Sequence, residues 1–467
     1  MSPIFRIFII YPCFLFILLW LAVSPLAAGE VDSGMLQKFT DDLISGESLE
    51  YALYGVRPIV RIPKATGDEM LRRATSGEFP QDDLFKHTSF IYGSYWQNCR
   101  AYYIAYRVTG DQRFAWQLRQ YAELMAWVLY ERPWLILEKE ERANVKSGKW
   151  QDLVPRSAAT ASIFQGFTLS ARLTLQMARA DRSLVSDEQI AEARSNLTEI
   201  VLPYMDSLVA GEDGADSNAL PMPALDMIRT TPFNQSFMAY GVLVTTAAAL
   251  KDLQHIDGGK GHQGTIDLYT RIVRKGIEAF VEKSDVTEIE GRPYVFMSYT
   301  PQDPLVSVLD KETRKRYPLV VDGHPVFRYP EDFAHSQSAA WYLALLWSMG
   351  REFGVDENLL SGLANSYVDY LLRGEAPLDN GTNGPPARFV SPWALIGLPD
   401  KKWKRLGRPS LVYLIYRSFN PDVIPALTEL NGRSRKEMSG EQARQFILYS
   451  HYISALRQDR GLLHLSQ

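Results

Sequence analysis

The sequence predicts an all-α protein, an (α/α)n toroid or barrel of six or seven helical hairpins with long loops on one rim. Amphipathic helical patterns follow one another in pairs along most of the chain. Strand-like sequence is confined to two short stretches, 293–299 and 317–321. Links within a pair are short and links between pairs are long, as in a series of repeated helical hairpins.

The first 29 residues have the pattern of a secretory signal peptide. Arg6 precedes a long uncharged apolar run, which ends at the small residues Ala27, Ala28 and Gly29. An uncleaved membrane anchor is the alternative, because the run is long for a signal peptide. We predict cleavage, a single catalytic domain over residues 30–467, a periplasmic or secreted location, and no membrane attachment after cleavage.

Composition restricts the class of protein. The chain has 467 residues, 46% hydrophobic and 22% charged, which is ordinary for a globular protein with a large core. Loss of Cys13 with the signal peptide would leave only Cys99, so an internal disulfide is excluded. A net charge of −4 argues against a nucleic-acid partner, although a local basic rim can still bind an acidic ligand. The scattered histidines lack zinc-site spacing, so we predict no metal. We also predict that the protein has no cofactor and is a monomer.

Four pairs of helices are predicted, and the first helix of each pair is the more apolar. The pairs are 90–108 with 112–130, 158–180 with 187–209, 233–253 with 265–283, and 332–353 with 356–373. A less regular series follows at 411–419, 421–430 and 440–457. Stretches such as 339–347 are apolar on every side, so we place the first helices in an inner ring.

The long links predict where function lies. They span 131–157, 210–232, 284–331 and 374–410. In an up-down array of helices, every second link lies at the same end of the array. The long loops between pairs should therefore all lie on one rim, together with the N-termini of the first helices. Loops held by a rigid scaffold commonly carry function.

The predicted rim is rich in aromatic, amide, imidazole and guanidinium side chains. Planar aromatics stack on sugar rings, and arginine binds carboxylates bidentately. These residues could instead have purely structural roles. Asn234 could cap a helix after Pro232, and His335 could be a core histidine. The predicted substrate-binding residues are His87, Tyr95, Trp96, Arg292, Arg328, Tyr329 and Arg388.

These residue types suit β-elimination of a uronic-acid polysaccharide. The reaction needs a neutralised carboxylate, a base that takes the C5 proton, and an acid that protonates the leaving oxygen. Amide, imidazole and guanidinium groups suit the first task, and tyrosine or histidine suits the others. A free tyrosine has a pKa near ~10, so it needs nearby cations to act as a base.

Four motifs resemble the α/α-toroid polysaccharide lyases, most closely the alginate- and glucuronan-degrading types. They are YRVTGDQRFAWQLRQYAE, FNQSFMAYG, RPYVFMSY and PEDFAHSQSAAWYL, and the resemblance covers most of residues 85–375. It implies that Asn234 neutralises the substrate carboxylate, His335 is the active-site histidine and Tyr299 is the acid and base, with His87 as a second histidine. The chain lacks the plain Asn-His pair of several such lyases and an obvious C-terminal β-sandwich.

Three other functions stay open. A uronate epimerase on the same toroid would share the proton abstraction. A glycoside hydrolase would need two carboxylates ~5–9 Å apart, for which the candidates are Asp226, Glu331, Asp332 and Asp379. A non-catalytic glycan-binding or export protein would keep the aromatics and tolerate the loss of His335.

Overall fold

The computed structural model describes residues 96–131, 149–210, 220–259, 261–297 and 333–372, with short segments between 301 and 325 and between 415 and 457. The described residues are predominantly helical, which confirms the all-α class. They all lie within one compact unit, residues 42–467, and the predicted boundary at residue 29 lies outside them. None of the described helices combines the length and apolar content needed to cross a membrane.

The helices follow the predicted pairs. In chain order they are α1 (Trp96–Thr109), α2 (Gln112–Glu131), α3 (Trp150–Leu153), α4 (Gln165–Ala180), α5 (Asp187–Ser195), α6 (Leu202–Val209), α7 (Met222–Thr230), α8 (Phe233–Asp257), α9 (Gln263–Lys283), α10 (Phe333–Met349) and α11 (Glu357–Ser366). Turns of 3-10 helix at Thr160–Phe164 and Arg351–Phe353 flank α4 and α10. Of the predicted series after residue 410, only 415–423 and three later residues are described.

The described strands form three antiparallel hairpins of two strands each. They pair β1 (Asp285–Ile289) with β2 (Arg292–Phe296), β3 (Ser307–Leu309) with β4 (Arg316–Pro318), and β5 (Val320–Val321) with β6 (His324–Pro325). Both predicted strand-like stretches therefore contain strands, β2 in the first and β4 and β5 in the second.

Helix α7 lies within the long link predicted over residues 210–232. Pro221 directly precedes the helix and Pro223 lies in its first turn, where a missing backbone N–H leaves no hydrogen bond unmade. The prolines therefore mark the start of a helix here.

The first helices α1, α4, α8 and α10 pack side by side in that order, and all run in the same direction. Their contacts run in the same order along both members of each neighbouring pair. Between α1 and α4, Tyr103 contacts Arg172, and further along Arg107 contacts Gln176. Between α4 and α8, Thr168 contacts Thr245, and further along Arg179 contacts Asp252. Between α8 and α10, Gly241 contacts Tyr342, and Lys251 then contacts Glu352 in the turn after α10. The N-termini of these four helices therefore lie at one end.

The second helix of the third pair runs antiparallel to its partner. Phe280 of α9 packs edge-on against Phe233 and Phe237 at the start of α8, with ring centroids 5.2 and 5.1 Å apart. Helix α8 is buried on nearly every side, whereas α9 keeps an exposed face. This difference supports the predicted inner position of the first helices.

Two glycines allow the closest approaches between helices. A Cβ atom at Gly241 would lie 2.2 Å from Cε1 of Tyr342, and one at Gly276 would lie 2.2 Å from Cζ of Tyr240. Each tyrosine ring therefore occupies the space that a side chain would need. This packing fixes α8 against α10 and against α9.

We expect Gly241→Ala to lower the free energy of unfolding by about 1–3 kcal/mol, because the added methyl group overlaps a fully buried ring. Urea denaturation measures the change. Gly264→Ala is the matched control, since no atom lies within 4 Å of its Cβ position in α9 and alanine favours helix. Equal stability of the Gly241→Ala protein and the wild type would contradict the described packing.

Candidate functional site

Most of the predicted site residues lie outside the described residues, and four can be placed. His87, Tyr95, Tyr299, Arg328, Tyr329 and Arg388 are the ones outside. Trp96 and His335 are located by their helix positions, as the first residue of α1 and the third of α10. Asn234 and Arg292 are described with their side chains.

Asn234 is the second residue of α8, held in the first turn of a helix that begins directly after Pro232. The side chain is 5% exposed, and its Oδ1 accepts a hydrogen bond from the backbone N–H of Gln235 at 2.9 Å. The N-cap position is Pro232, so Asn234 is not the helix cap that the sequence also allowed, and its oxygen bonds only the N–H of the next residue. Among the described residues no acceptor pairs with Nδ2, so the amide keeps its donor side for another group.

Position 335 lies level with Asn234 on the neighbouring helix. Gly241 of α8 lies against Tyr342 of α10, and these two residues are 101 positions apart. The same spacing separates residues 234 and 335, and parallel α-helices rise equally per residue. Both positions also precede a contact residue by about two helical turns, so they belong to the stripes along which α8 and α10 face each other.

A buried cation lies among aromatic rings deeper between these helices. Arg100 of α1 is fully buried, with its guanidinium carbon 4.4 Å from the ring centroid of Trp341 and 4.2 Å from that of Tyr342. Burial raises the pKa of Tyr342 to about 12, although the charge of Arg100 opposes the shift. The Tyr342 hydroxyl therefore stays protonated at neutral pH.

Sequence reasoning missed Arg100. The available indication was a single charge within residues 99–106, which are otherwise wholly apolar or aromatic. A charged residue in such a stretch needs shielding by neighbouring rings or polar groups. The structure supplies Trp341 and Tyr342 from a distant part of the chain.

Polar side chains also link α4 to α8 at this depth. Gln165 Nε2 donates to Thr245 Oγ1 at 3.1 Å, and the hydroxyls of Thr168 and Thr245 are 2.7 Å apart. Within the described part of the chain, the buried Oε1 of Gln165 has no donor. The first helices therefore enclose polar groups as well as apolar ones.

Arg292 begins β2 at the tip of the first hairpin, and its guanidinium is engaged by α11 and the π-helical turn that follows it. It donates from Nη2 to Asn365 Oδ1 at 3.0 Å, and Nη1 lies 3.2 Å from Asp369 Oδ2. Asn365 also donates to the carbonyl of Pro293 at 2.8 Å. Arg292 thus holds the hairpin to α11, and its binding to a substrate stays a prediction.

No protein-family model matches this chain, and no curated protein or solved structure matches it either. The resemblance to α/α-toroid lyases therefore remains a hypothesis carried by the short motifs. Across the described ranges, no group of three or more His, Cys, Asp or Glu side chains is arranged to hold a metal ion. Activity without a metal stays a prediction.

We expect Arg292→Met to lower the free energy of unfolding by about 1 kcal/mol, because it removes a half-exposed ion pair and one hydrogen bond. Asp369→Asn weakens the same pair from the other side and also the hydrogen bond that the Tyr294 hydroxyl donates to Asp369 Oδ2 at 2.8 Å, so it should cost at least as much. Arg182→Met is the control, since its pair with Asp187 is largely exposed. Chemical denaturation of the three variants tests whether these bonds hold the hairpin, and an unchanged Arg292→Met protein would refute it.

Proposed function

We propose that the protein is a secreted or periplasmic polysaccharide lyase that cleaves a uronic-acid-containing polymer, of the alginate or glucuronan type, by β-elimination. The placement of Asn234 carries the proposal. Its amide has a free donor side among the described residues, and it lies level with position 335 on the adjacent parallel helix. An amide donor beside an imidazole suits neutralisation of a carboxylate and removal of the proton next to it.

Each proposed catalytic residue has a defined task. Asn234 donates from Nδ2 to the substrate carboxylate, which makes the C5 proton more acidic. His335 assists that neutralisation or accepts the proton. Its place in the first turn of α10 favours the neutral imidazole, since helix N-termini carry partial positive charge. Tyr299 protonates the leaving oxygen, acts as the base, or does both.

We also propose that the helical hairpins, six or seven in number, close into a toroid. Neighbouring helix axes lie about 8–10 Å apart, so a flat layer would separate α1 from α10 by roughly 25–30 Å. Arg100 of α1 nevertheless packs on Trp341 and Tyr342 of α10. A curved inner layer accounts for this contact.

The remaining predicted rim residues are proposed to bind the polymer. These are His87, Tyr95, Trp96, Arg328, Tyr329 and Arg388, with Arg292 contributing if its guanidinium also reaches the substrate. The proposed partner is thus an acidic polysaccharide, bound by a monomeric enzyme that needs no cofactor and binds no nucleic acid.

The product separates this reaction from its alternatives. Elimination leaves an unsaturated uronate that absorbs in the near ultraviolet, whereas epimerisation and hydrolysis do not. Of the carboxylates considered for hydrolysis, Asp226 alone is described, and it is exposed on α7. Incubation with alginate, glucuronan, hyaluronan and pectate, read for absorbing product, tests the proposal and identifies the polymer.

The Asn234→Asp variant tests the role of the amide donor. Aspartate keeps the oxygen that accepts from Gln235 N–H, and a carboxylate suits the first turn of a helix. We therefore expect a nearly unchanged melting temperature. Turnover should fall by about 100-fold or more, because an acceptor would face the substrate carboxylate.

The Asn234→Ala variant completes the comparison, since it removes both the donor and the accepted hydrogen bond. It should lose stability as well as turnover. An Asn234→Asp protein with full lyase activity would refute the assignment of Asn234.

We expect His335→Ala and Tyr299→Phe each to lower turnover by about 100-fold or more, the usual scale for general acid–base groups. Melting temperatures should change little. His255→Ala is the matched control, because His255 is exposed near the far end of α8. A stable and fully active His335→Ala protein would exclude its role, and lost stability with normal turnover would make it a structural histidine.

A further inference from the structure

A cavity of about 270 Å³ lies at the other end of the first helices. The C-terminal halves of α1, α4 and α8 and the residues at the end of α10 all contribute to its walls. The charged side chains among the described lining residues are Arg107, Arg172, Arg179, Lys251, Asp252 and Glu352. Four cations thus face two carboxylates.

Both carboxylates already form ion pairs within the cavity wall. Lys251 Nζ lies 3.1 Å from Glu352 Oε1, and Arg179 forms an ion pair with Asp252. Asp252 is 4% exposed and also lies in the electrostatic field of Arg172 and Arg107. One buried carboxylate therefore serves three guanidinium groups.

Arg172 has unused donors inside this cavity. Its Nε and Nη1 atoms are buried, and no acceptor among the described residues bonds to either. Its guanidinium rests 5.9 Å from the ring centroid of Tyr103. Buried donors of this kind normally have a partner, so a ligand or water is expected beside them.

Helix capping does not explain Arg172. Basic side chains favour the last turn of a helix, where the partial charge is negative, and Arg179 occupies that position in α4. Arg172 lies about two turns earlier, beyond the range of this effect. Asp252 already attracts this guanidinium, so it is the buried Nε and Nη1 donors of Arg172 that are available to a ligand.

We propose that this cavity binds the phosphate group of a small phosphoester, with Arg172 as the principal ligand and Lys251 at the edge of the site. A guanidinium matches the oxygens of a phosphate in a bidentate arrangement. A dianion balances the two excess positive charges of the described lining, which a single carboxylate does not. The site goes beyond the proposed lyase activity and does not depend on it.

The size of the cavity favours an ester over the free ion. Ligand pockets of about 300 Å³ are at the small end of the usual range and hold compact metabolites. A phosphate group alone would fill only part of the 270 Å³, and because the cavity is half open the rest would hold water. The organic part of a phosphoester would fill that remainder, next to Met349 and Phe353.

Isothermal titration calorimetry on the purified full chain tests the proposal, with inorganic phosphate, glucose 1-phosphate and glucuronate as probes. Sodium chloride keeps the ionic strength constant. We expect both phosphate probes to bind, the ester more tightly, and glucuronate to bind at least about tenfold more weakly than inorganic phosphate.

Three variants locate the binding. Arg172→Gln should weaken phosphate binding by at least about tenfold, the loss expected for a charge-assisted contact. Glu352→Gln should strengthen it, because it removes a negative charge and frees Lys251. Arg194→Gln, which disrupts an exposed pair with Asp257, should change nothing.

Two results would overturn the proposal. One is the absence of phosphate binding beyond that of chloride at equal ionic strength. The other is equal phosphate affinity in the wild type and the Glu352→Gln variant, which tests the site even if Arg172→Gln fails to fold. Lyase activity is measured in neither experiment, so failure here leaves the proposed function untouched.

Discussion

The register between α8 and α10 is the constraint on which both ends of the described helices depend. Gly241 has no side chain, and the Tyr342 ring lies directly against its backbone. A shift by one residue would bring the side chain of Tyr240 or Val242 against that ring. The close approach therefore fixes the two helices along their length, setting Asn234 level with position 335 at one end. At the other end Lys251 pairs with Glu352 in the turn just after α10.

The two ends differ in chemistry because parallel helices add their terminal charges. At the N-terminal end, helix termini carry partial positive charge, and among the described residues the Asn234 amide keeps its donor side. At the C-terminal end, Arg179 lies in the last turn of α4 and offsets the partial negative charge there. Between them lies Arg100, which is separated from water by Trp341 and Tyr342. Cation–π contact offsets part of the cost of burying that charge.

The helices could be predicted from sequence because apolar periodicity reports directly on burial. Helix α7 inside the long link 210–232 was not predicted, since proline tolerates both a loop and a helix start and only packing separates them. Asn234 could be proposed from a motif, but its donor side depends on the hydrogen bond to Gln235. The contacts of Arg292 could not be predicted, because Asn365 and Asp369 lie more than 70 positions away.

The basic cavity needed the same three-dimensional information. Its cations come from different helices, and only the register of those helices brings them together. Sequence offered a partial indication in α4, where Arg172 and Arg179 are about two turns apart and so share a stripe. Nothing in the local pattern related that stripe to Lys251 of α8.

The burial of Arg100 has a consequence for the order of folding. Its aromatic partners on α10 are about 240 positions further along the chain, so these cation–π contacts form only when a long loop closes. Helix α1 can form early, but its docking is complete only after α10 has arrived. Contacts of such separation slow folding and make it cooperative. A fragment ending before α10 would expose a charge within an apolar surface and would be prone to aggregate.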